Sequence, residues 1–136
     1  MDPAIKSRGG ATDIMIKLTF CLHRLAHLSR EDFQTYWRET HAPLVAKHAG
    51  TLGIVRYVQT HALSHDFNAV MRRSREAPEM YDGIAELWFE SWEALFAAGE
   101  NPGNAEAGAA LLEDERKFID LARSPLWFNE EHVIVG

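Results

Sequence analysis

The sequence predicts an α+β fold in which four strands form one antiparallel sheet with helices packed on one face. Three observations support this prediction. Segments that alternate between apolar and polar residues are separated by segments with apolar residues three or four positions apart. Their order is β-α-β, a long loop, then β-α-β. The 136 residues are 46% hydrophobic and 25% charged, as is typical of one soluble globular domain.

The domain is predicted to span residues 14–136, after a flexible tail at 1–13 that is polar, glycine-rich and without periodicity. The first strand is predicted over 14–23, because every second residue is apolar and many are β-branched or aromatic. These residues share one face of the strand: Ile14, Ile16, Leu18, Phe20 and Leu22.

The first helix is predicted over 30–49, from a Ser29 N-cap with Asp32 three residues later, to a C-cap at Gly50. Pro43 lies inside this helix and has no N–H, so the helix must kink or restart there. One stripe of the helix is apolar or aromatic and faces the sheet: Phe33, Trp37, His41, Leu44 and His48.

A second strand is predicted over 52–61, followed by a connection at 62–81 with a short helix at 66–75. A connection of this length is often functional, as a lid or rim. The second half then repeats the pattern, with Ser91 as the N-cap of its first helix. Its predicted elements are a strand at 83–90, helices at 92–98 and 105–122, and a last strand at 132–135.

This order matches the ferredoxin-like split βαββαβ arrangement, which leaves one face of the sheet uncovered. On the third strand, one face mixes Ile84 and Trp88 with Glu86, for which we expect an ion pair with Arg56. A mixed, aromatic face suits burial against a second copy of the chain. We therefore expect a homodimer that closes a dimeric α/β barrel.

Composition excludes several function classes. The net charge is −6, and the only basic cluster, at 72–75, is followed at once by Glu76 and Glu79, so nucleic-acid binding is not expected. No stretch approaches the ~20 apolar residues of a membrane span. The single cysteine, Cys21, excludes an internal disulfide framework and is consistent with a reducing, cytoplasmic setting.

His41 is the strongest candidate for chemistry. It lies on the sheet-facing stripe, one turn after Trp37 and next to the break at Pro43. An imidazole in an apolar pocket can act as a general acid or base near neutral pH. The alternative is a buried neutral histidine bonded to a backbone carbonyl that the proline leaves free.

Other candidates carry weaker signals. Tyr36 and Trp37 line either a pocket or the core, and Tyr57 is either a hydrogen-bond donor or a packing residue. Cys21 and His23 share a strand face, where the thiol is either reactive or an inert packing group. A metal site is not expected, because no ligand motif occurs and His41 and His48 are two helical turns, about 10 Å, apart.

Three segments carry a resemblance to a known family: Phe33-Gln34-Thr35-Tyr36-Trp37-Arg38-Glu39-Thr40-His41-Ala42-Pro43-Leu44, Asp82-Gly83-Ile84-Ala85-Glu86-Leu87-Trp88-Phe89 and Phe118-Ile119-Asp120. They resemble the EthD family of the dimeric α/β-barrel superfamily. This implies the fold and dimer expected above, a pocket between sheet and helices, and no metal or organic cofactor. The family histidine matches His41, and Asp120 fits the family's acidic position. The alternative for Asp120 is a salt bridge to Arg116.

The resemblance implies several reaction types. The family and its relatives include a protein tied to ethyl tert-butyl ether degradation, polyketide cyclases and dehydratases, and a muconolactone methylisomerase. We expect a cofactor-free protein that binds a hydrophobic carbonyl or aromatic compound and transfers a proton through His41. The substrate-binding residues would be Phe20, Tyr36, Trp37, Tyr57 and Asp120. The alternatives are a non-catalytic accessory binding protein and a cofactor-independent monooxygenase.

Overall fold

Four strands and five α-helices alternate along residues 15–136, the part of the chain that the computed structural model describes. The predicted tail at 1–13 lies outside the described residues. The elements, in chain order, are β1 (Ile16–Leu22), α1 (Arg30–Tyr36), a π-helical turn (Trp37–His41), α2 (Ala42–Leu52), β2 (Arg56–His61), α3 (Phe67–Arg75), β3 (Gly83–Phe89), α4 (Trp92–Ala98), α5 (Asn104–Glu115), a 3-10 turn (Leu121–Arg123) and β4 (Leu126–Glu130).

The four strands form one antiparallel sheet in the order β2-β3-β1-β4. Leu18 of β1 faces Leu87 of β3 on one side and Phe128 of β4 on the other. These apolar cross-strand neighbours stabilise the sheet and fix its register. The predicted α+β, ferredoxin-like class with a four-stranded antiparallel sheet is confirmed.

The first helical segment ends later than predicted. Gly50 does not cap it; the helix continues to Leu52, and Gly53 is the C-cap with a φ of 81°. A glycine is needed there because L side chains rarely adopt this left-handed conformation. A Cβ on Gly53 would also lie 2.9 Å from the Cβ of Ala98. The second strand therefore begins at Arg56 and not at Leu52.

The end of the chain also differs from the prediction. The helix predicted to reach Ala122 ends at Glu115, because the backbone beyond it pairs with the segment after β1. Leu25 N–H donates to Phe118 O and Asp120 N–H donates to His23 O. The last strand is Leu126–Glu130, and the prediction of a strand at 132–135 is wrong.

The core lies between the helices and the inner face of the sheet. One apolar cluster centres on Phe33, Trp37 and Phe118, and a second centres on Val45 and Phe89. Phe33 and Phe118 are fully buried. The two clusters leave a space between them, in which the candidate site lies.

The outer face of the sheet carries charges in pairs. Lys17 Nζ lies 2.8 Å from Glu86 Oε2 and 3.1 Å from Glu131 Oε2. The expected Glu86–Arg56 pair is wrong: Arg56 stands directly opposite Trp88, and its guanidinium lies 4.8 Å from a Trp88 ring centroid. Within residues 15–136, no helix is long and apolar enough to cross a membrane.

Candidate functional site

A partly open cavity of about 410 Å³ lies between the inner face of the sheet and the helices. This volume falls within the range of small-molecule sites. Its wall is mainly apolar, and the polar side chains that reach it include His41, Tyr57 and Glu115. The apolar wall residues include Leu18, Phe20, Leu22, Trp37, Val45, Leu87, Phe89 and Leu111.

The π-helical turn brings His41 to this cavity. Ser29 caps α1 through its hydroxyl, which accepts from Asp32 N–H. The predicted interruption near Pro43 takes the form of this wider turn, in which Ala42 N–H donates to Trp37 O, five residues back. Pro43 then occupies the first turn of α2, where a missing N–H costs little.

The wider turn also changes which residues face inward. The buried residues are Phe33, Trp37, His41 and Val45, each four positions apart. A regular helix would drift out of phase at this spacing, and the extra residue in the π turn compensates for the drift. Val45 therefore replaces the predicted Leu44 on the buried stripe, and Leu44 is only half-buried.

His41 is held by a carboxylate that the sequence analysis did not identify. Its Nδ1 lies 2.8 Å from Asp114 Oδ2, and both side chains are more than 90% buried. Asp114 Oδ1 accepts a 2.6 Å hydrogen bond from the Tyr36 hydroxyl. Lys117 Nζ lies 3.7 Å from the same oxygen. The alternative of a histidine bonded to a freed backbone carbonyl is therefore wrong.

These contacts set the charge of both groups. Burial lowers the pKa of His41 despite the opposing effect of Asp114, so the imidazole is neutral at pH 7. Burial would raise the pKa of Asp114, but the hydrogen bonds from Tyr36 and His41 outweigh it and lower that pKa. An ionised Asp114 only accepts hydrogen bonds, so the His41 proton resides on Nδ1 and Nε2 is left as a base.

Glu115 is a second residue that the sequence analysis missed. It lines the cavity at the end of α5, and burial, followed by the charge of Asp114, raises its pKa to about 7. The run of charges at 113–116 looks like a solvated helix face. The sequence signal that could have identified both residues is their spacing. Asp114 and Glu115 follow the buried Leu111 by three and four positions, which places them on the same face of the helix.

A chain of hydrogen bonds along β2 supports the opposite wall. Gln59 Nε2 donates to the Tyr57 hydroxyl at 2.8 Å and to Trp37 O at 3.0 Å. Gln59 Oε1 accepts from His61 Nε2 at 2.8 Å. Since Tyr57 receives a hydrogen bond from Gln59, its own O–H proton is available to a ligand.

Close packing fixes Trp37 as well. Its indole lies 4.4 Å from the His61 ring, between centroids, and covers Gly83. A Cβ on Gly83 would lie 2.4 Å from the Trp37 ring, so only glycine fits beneath the indole. Trp37 is thus both a core residue and part of the cavity wall.

The structure brings four of the six predicted site residues to the cavity: Phe20, Trp37, His41 and Tyr57. Tyr36 does not line it but contacts the site through Asp114. Asp120 does not line it either, and its carboxylate lies 3.6 Å from Arg123, not beside the expected Arg116.

The Cys21–His23 pair is not supported as a reactive site. Cys21 is buried, and burial raises the pKa of its thiol, which disfavours the thiolate. His23 lies at the end of β1 against the Tyr81 ring. Among residues 15–136, no three His, Cys, Asp or Glu side chains are arranged to hold a metal ion.

The chain is similar to proteins of one family. The model of the EthD domain matches residues 25–122, while no curated protein matches the sequence. An EthD-like protein from Ralstonia eutropha is 19% identical, with a TM-score of 0.60 over 90% of this chain and 96% of that one. An EthD-family protein from Bacillus halodurans, also 19% identical, gives 0.58 over 88% and 100%.

A dimeric ferredoxin-like protein of unknown function from Thermobifida fusca is 11% identical, with a TM-score of 0.55 over 87% of this chain and 92% of that one. At these identities, the structural likeness establishes the fold alone. The family assignment depends on the domain model, which covers most of the chain and includes His41 and Asp114. The chain belongs to the EthD family.

Proposed function

We propose that this EthD-family protein binds a small, mainly apolar carbonyl or aromatic compound in the cavity and transfers a proton on it, with His41 as the acid/base residue. The observation that carries this proposal is the buried His41–Asp114 pair at the wall of an apolar cavity. Burial of the Asp114 carboxylate is costly, so its retention beside a neutral imidazole at an open cavity favours a functional role for the pair.

His41 Nε2 would remove a proton from the carbon next to a carbonyl. Asp114 keeps the ring in the tautomer with a free Nε2 and stabilises the imidazolium that forms. Tyr36 positions Asp114 from the other side. Returning the proton to another atom of the substrate gives isomerisation, while loss of water or attack on a second carbonyl gives dehydration or cyclisation.

Phe20 and Trp37 would contact the apolar body of the substrate, and Tyr57 would donate a hydrogen bond to its oxygen. These roles use only side chains of this chain. A protein that binds the same compound without turning it over is the rival function, and it needs the same cavity.

The test is exchange of the α-protons of apolar ketones and lactones with D₂O, followed by proton NMR, beginning with β-tetralone. The parent should accelerate exchange and His41→Ala should abolish the acceleration. The matched control, His48→Ala, changes a half-buried histidine of α2 that does not line the cavity and should behave as the parent. Binding without exchange would favour the rival function, and the absence of both would refute the proposal.

Assembly as a cytoplasmic homodimer belongs to the same proposal. Dimeric ferredoxin-like proteins share the fold, and the outer face of the sheet exposes Trp127 beside the Lys17–Glu86 pair. Such a mixed face suits an interface between two copies. Sedimentation should give twice the 15.4 kDa of one chain; a monomer at all concentrations would contradict the dimer.

A further inference from the structure

The cavity wall contains a second carboxyl, that of Glu115, which lacks the hydrogen bonds that Asp114 accepts. Asp114 accepts hydrogen bonds from Tyr36 and from His41 and lies near Lys117. The adjacent Glu115 carboxyl has no hydrogen bond or ion pair with any residue of 15–136. It is half-buried and lines the cavity. The fold therefore directs this carboxyl into the space that a ligand would fill.

Glu115 and His41 line the same cavity. Asp114, which precedes Glu115, contacts the imidazole directly. The charge of Glu115 also acts on the Tyr57 hydroxyl across the cavity and contributes to the raised pKa of that group, after burial. His41 from the π turn, Glu115 from α5 and Tyr57 from β2 thus all line one cavity.

The remainder of the cavity wall is mainly apolar, and the amide N–H groups of Asn104 are already hydrogen-bonded. Asn104, on the same face of α5, donates both of its 2.8 Å and 3.2 Å hydrogen bonds to the carbonyls of Ala98 and Thr51. Gly108 and Leu112 also line the wall. From Gly108 to Glu115 the helix rises about 10 Å. A ligand that fills this space has one polar end and an apolar body.

We propose that Glu115 is a second proton-transfer residue, which donates a proton to the carbonyl oxygen of an apolar ketone while His41 removes one from the adjacent carbon. This inference rests on the proposed function, in which His41 is the general base, and assigns Glu115 as the general acid. The C–H bond breaks and its proton goes to Nε2. The electron pair forms the C=C bond of the enol, and the oxygen takes the Glu115 proton. Charge balances, since an imidazolium and a carboxylate replace two neutral groups.

The protonation states agree with this division of roles. Burial lowers the pKa of His41, and burial raises that of Glu115 to about 7, with Asp114 adding to the effect and Arg116 opposing it. At pH 7 the imidazole is neutral and about half of the molecules carry a protonated Glu115 carboxyl, so a base and an acid are available together, which acid/base catalysis by a pair requires. The titratable and charged groups near Glu115 are His41 and Tyr57, which line the cavity, and Asp114 and Arg116, which flank Glu115 in the chain.

The inferred substrate class is an apolar ketone with at least one hydrogen on the carbon next to the carbonyl. Its single polar end meets His41, Glu115 and Tyr57, and its ring system extends toward Gly108. A compound with a second hydrogen-bond acceptor at its far end would leave that acceptor without a donor, since the Asn104 amide N–H groups already donate to Ala98 O and Thr51 O, and it would bind weakly.

The test compares Glu115→Gln with the parent in the β-tetralone exchange assay, from about pH 5 to pH 9, with the uncatalysed rate subtracted. The control, Glu113→Gln, makes the same change at an exposed position of α5. Glu115→Gln should lower the rate at least tenfold and abolish the fall in rate with a midpoint near pH 7. Glu113→Gln should leave both unchanged.

The outcomes separate the two proposals. If His41→Ala abolishes exchange while Glu115→Gln retains the parental rate and pH profile, the role of Glu115 is refuted and the proposed function stands. If the parent itself gives no exchange with any ketone, the proposed function fails and the proton-donor role fails with it. A lower rate with an unchanged pH profile would also refute proton donation, since it would reflect altered binding.

Discussion

The carboxyl of Glu115 destabilises the folded protein when it is charged, and its removal should show this directly. The pKa of Glu115 is raised from an ordinary 4.5 to about 7. One pKa unit corresponds to about 1.36 kcal/mol, so the folded state loses about 3 kcal/mol above pH 7 relative to the protonated form. Because Glu115 is only half-buried, solvent screens part of this effect, and we expect a difference of between about 1 and 3 kcal/mol.

The direction in which stability changes with pH follows from the linkage between protonation and folding. The pKa is higher in the folded than in the unfolded chain, so the stability from the protonated carboxyl is fully present below about pH 4.5 and is lost as pH rises through about 7. Glu115→Gln cannot ionise. Its free energy of unfolding should match that of the parent near pH 4 and exceed it by about 1 to 3 kcal/mol near pH 8.

Urea unfolding at both pH values measures this, at one fixed protein concentration because dimerisation would link stability to concentration. Glu113→Gln is the control, since it makes the same change at an exposed position of α5. If Glu115→Gln and the parent differ by the same amount at both pH values, the carboxyl has an ordinary pKa. The description of the cavity end would then be wrong.

Four further substitutions test other parts of the candidate site. Asp114→Asn should slow proton transfer on the order of 100-fold with the fold retained, because an amide N–H facing Nδ1 moves the imidazole proton to Nε2; exchange rates and imidazole ¹⁵N shifts check this. Gly108→Ala should add about 0.5 to 1 kcal/mol of stability, since its Cβ meets nothing within 4 Å. Gly108→Leu should fill the cavity and abolish β-tetralone binding, measured by calorimetry. Gly83→Ala should cost about 2 kcal/mol or more, because its Cβ would overlap Trp37, and retained thermal stability would contradict that packing.

Much of the site was predictable because His41 lies on a local pattern. Its spacing from Phe33 and Trp37 marks the inward face of a helix, and Pro43 marks an interruption beside it. Phe20 and Tyr57 are predictable in the same way, from strand alternation. All four predicted residues that reach the cavity belong to elements whose facing residues the sequence reveals.

Asp114 and Glu115 were not predicted, because their roles depend on packing. Asp114 is 73 residues from His41 in the chain, and only the packing of α5 against the π turn brings the two together. By sequence alone, residues 113–116 resemble a solvated charge run. Asp120 was expected at the site from the resemblance, but the chain leaves the helix before it and directs it toward Arg123.

The element boundaries failed where two local signals competed. Gly50 and Gly53 both predict a helix end, and only the left-handed backbone at Gly53 requires glycine. Val133, Ile134 and Val135 have high strand propensity yet are at least 80% exposed. The strand forms at Leu126–Glu130 because that segment pairs with β1. Propensity is weak where long-range pairing decides.

The sequence by itself determined the alternation of four strands with helices, the class of fold and the histidine of the candidate site. Periodicity and capping depend on interactions between residues a few positions apart, so both can be recognised in the sequence. Tertiary structure alone decided where α5 ends, which segment completes the sheet, and which carboxylate holds His41. Those outcomes depend on distant groups that compete for burial and hydrogen bonds. The charge states of Asp114 and Glu115 differ for this reason: folding gives one carboxylate hydrogen-bond donors and leaves its neighbour in an apolar cavity without them.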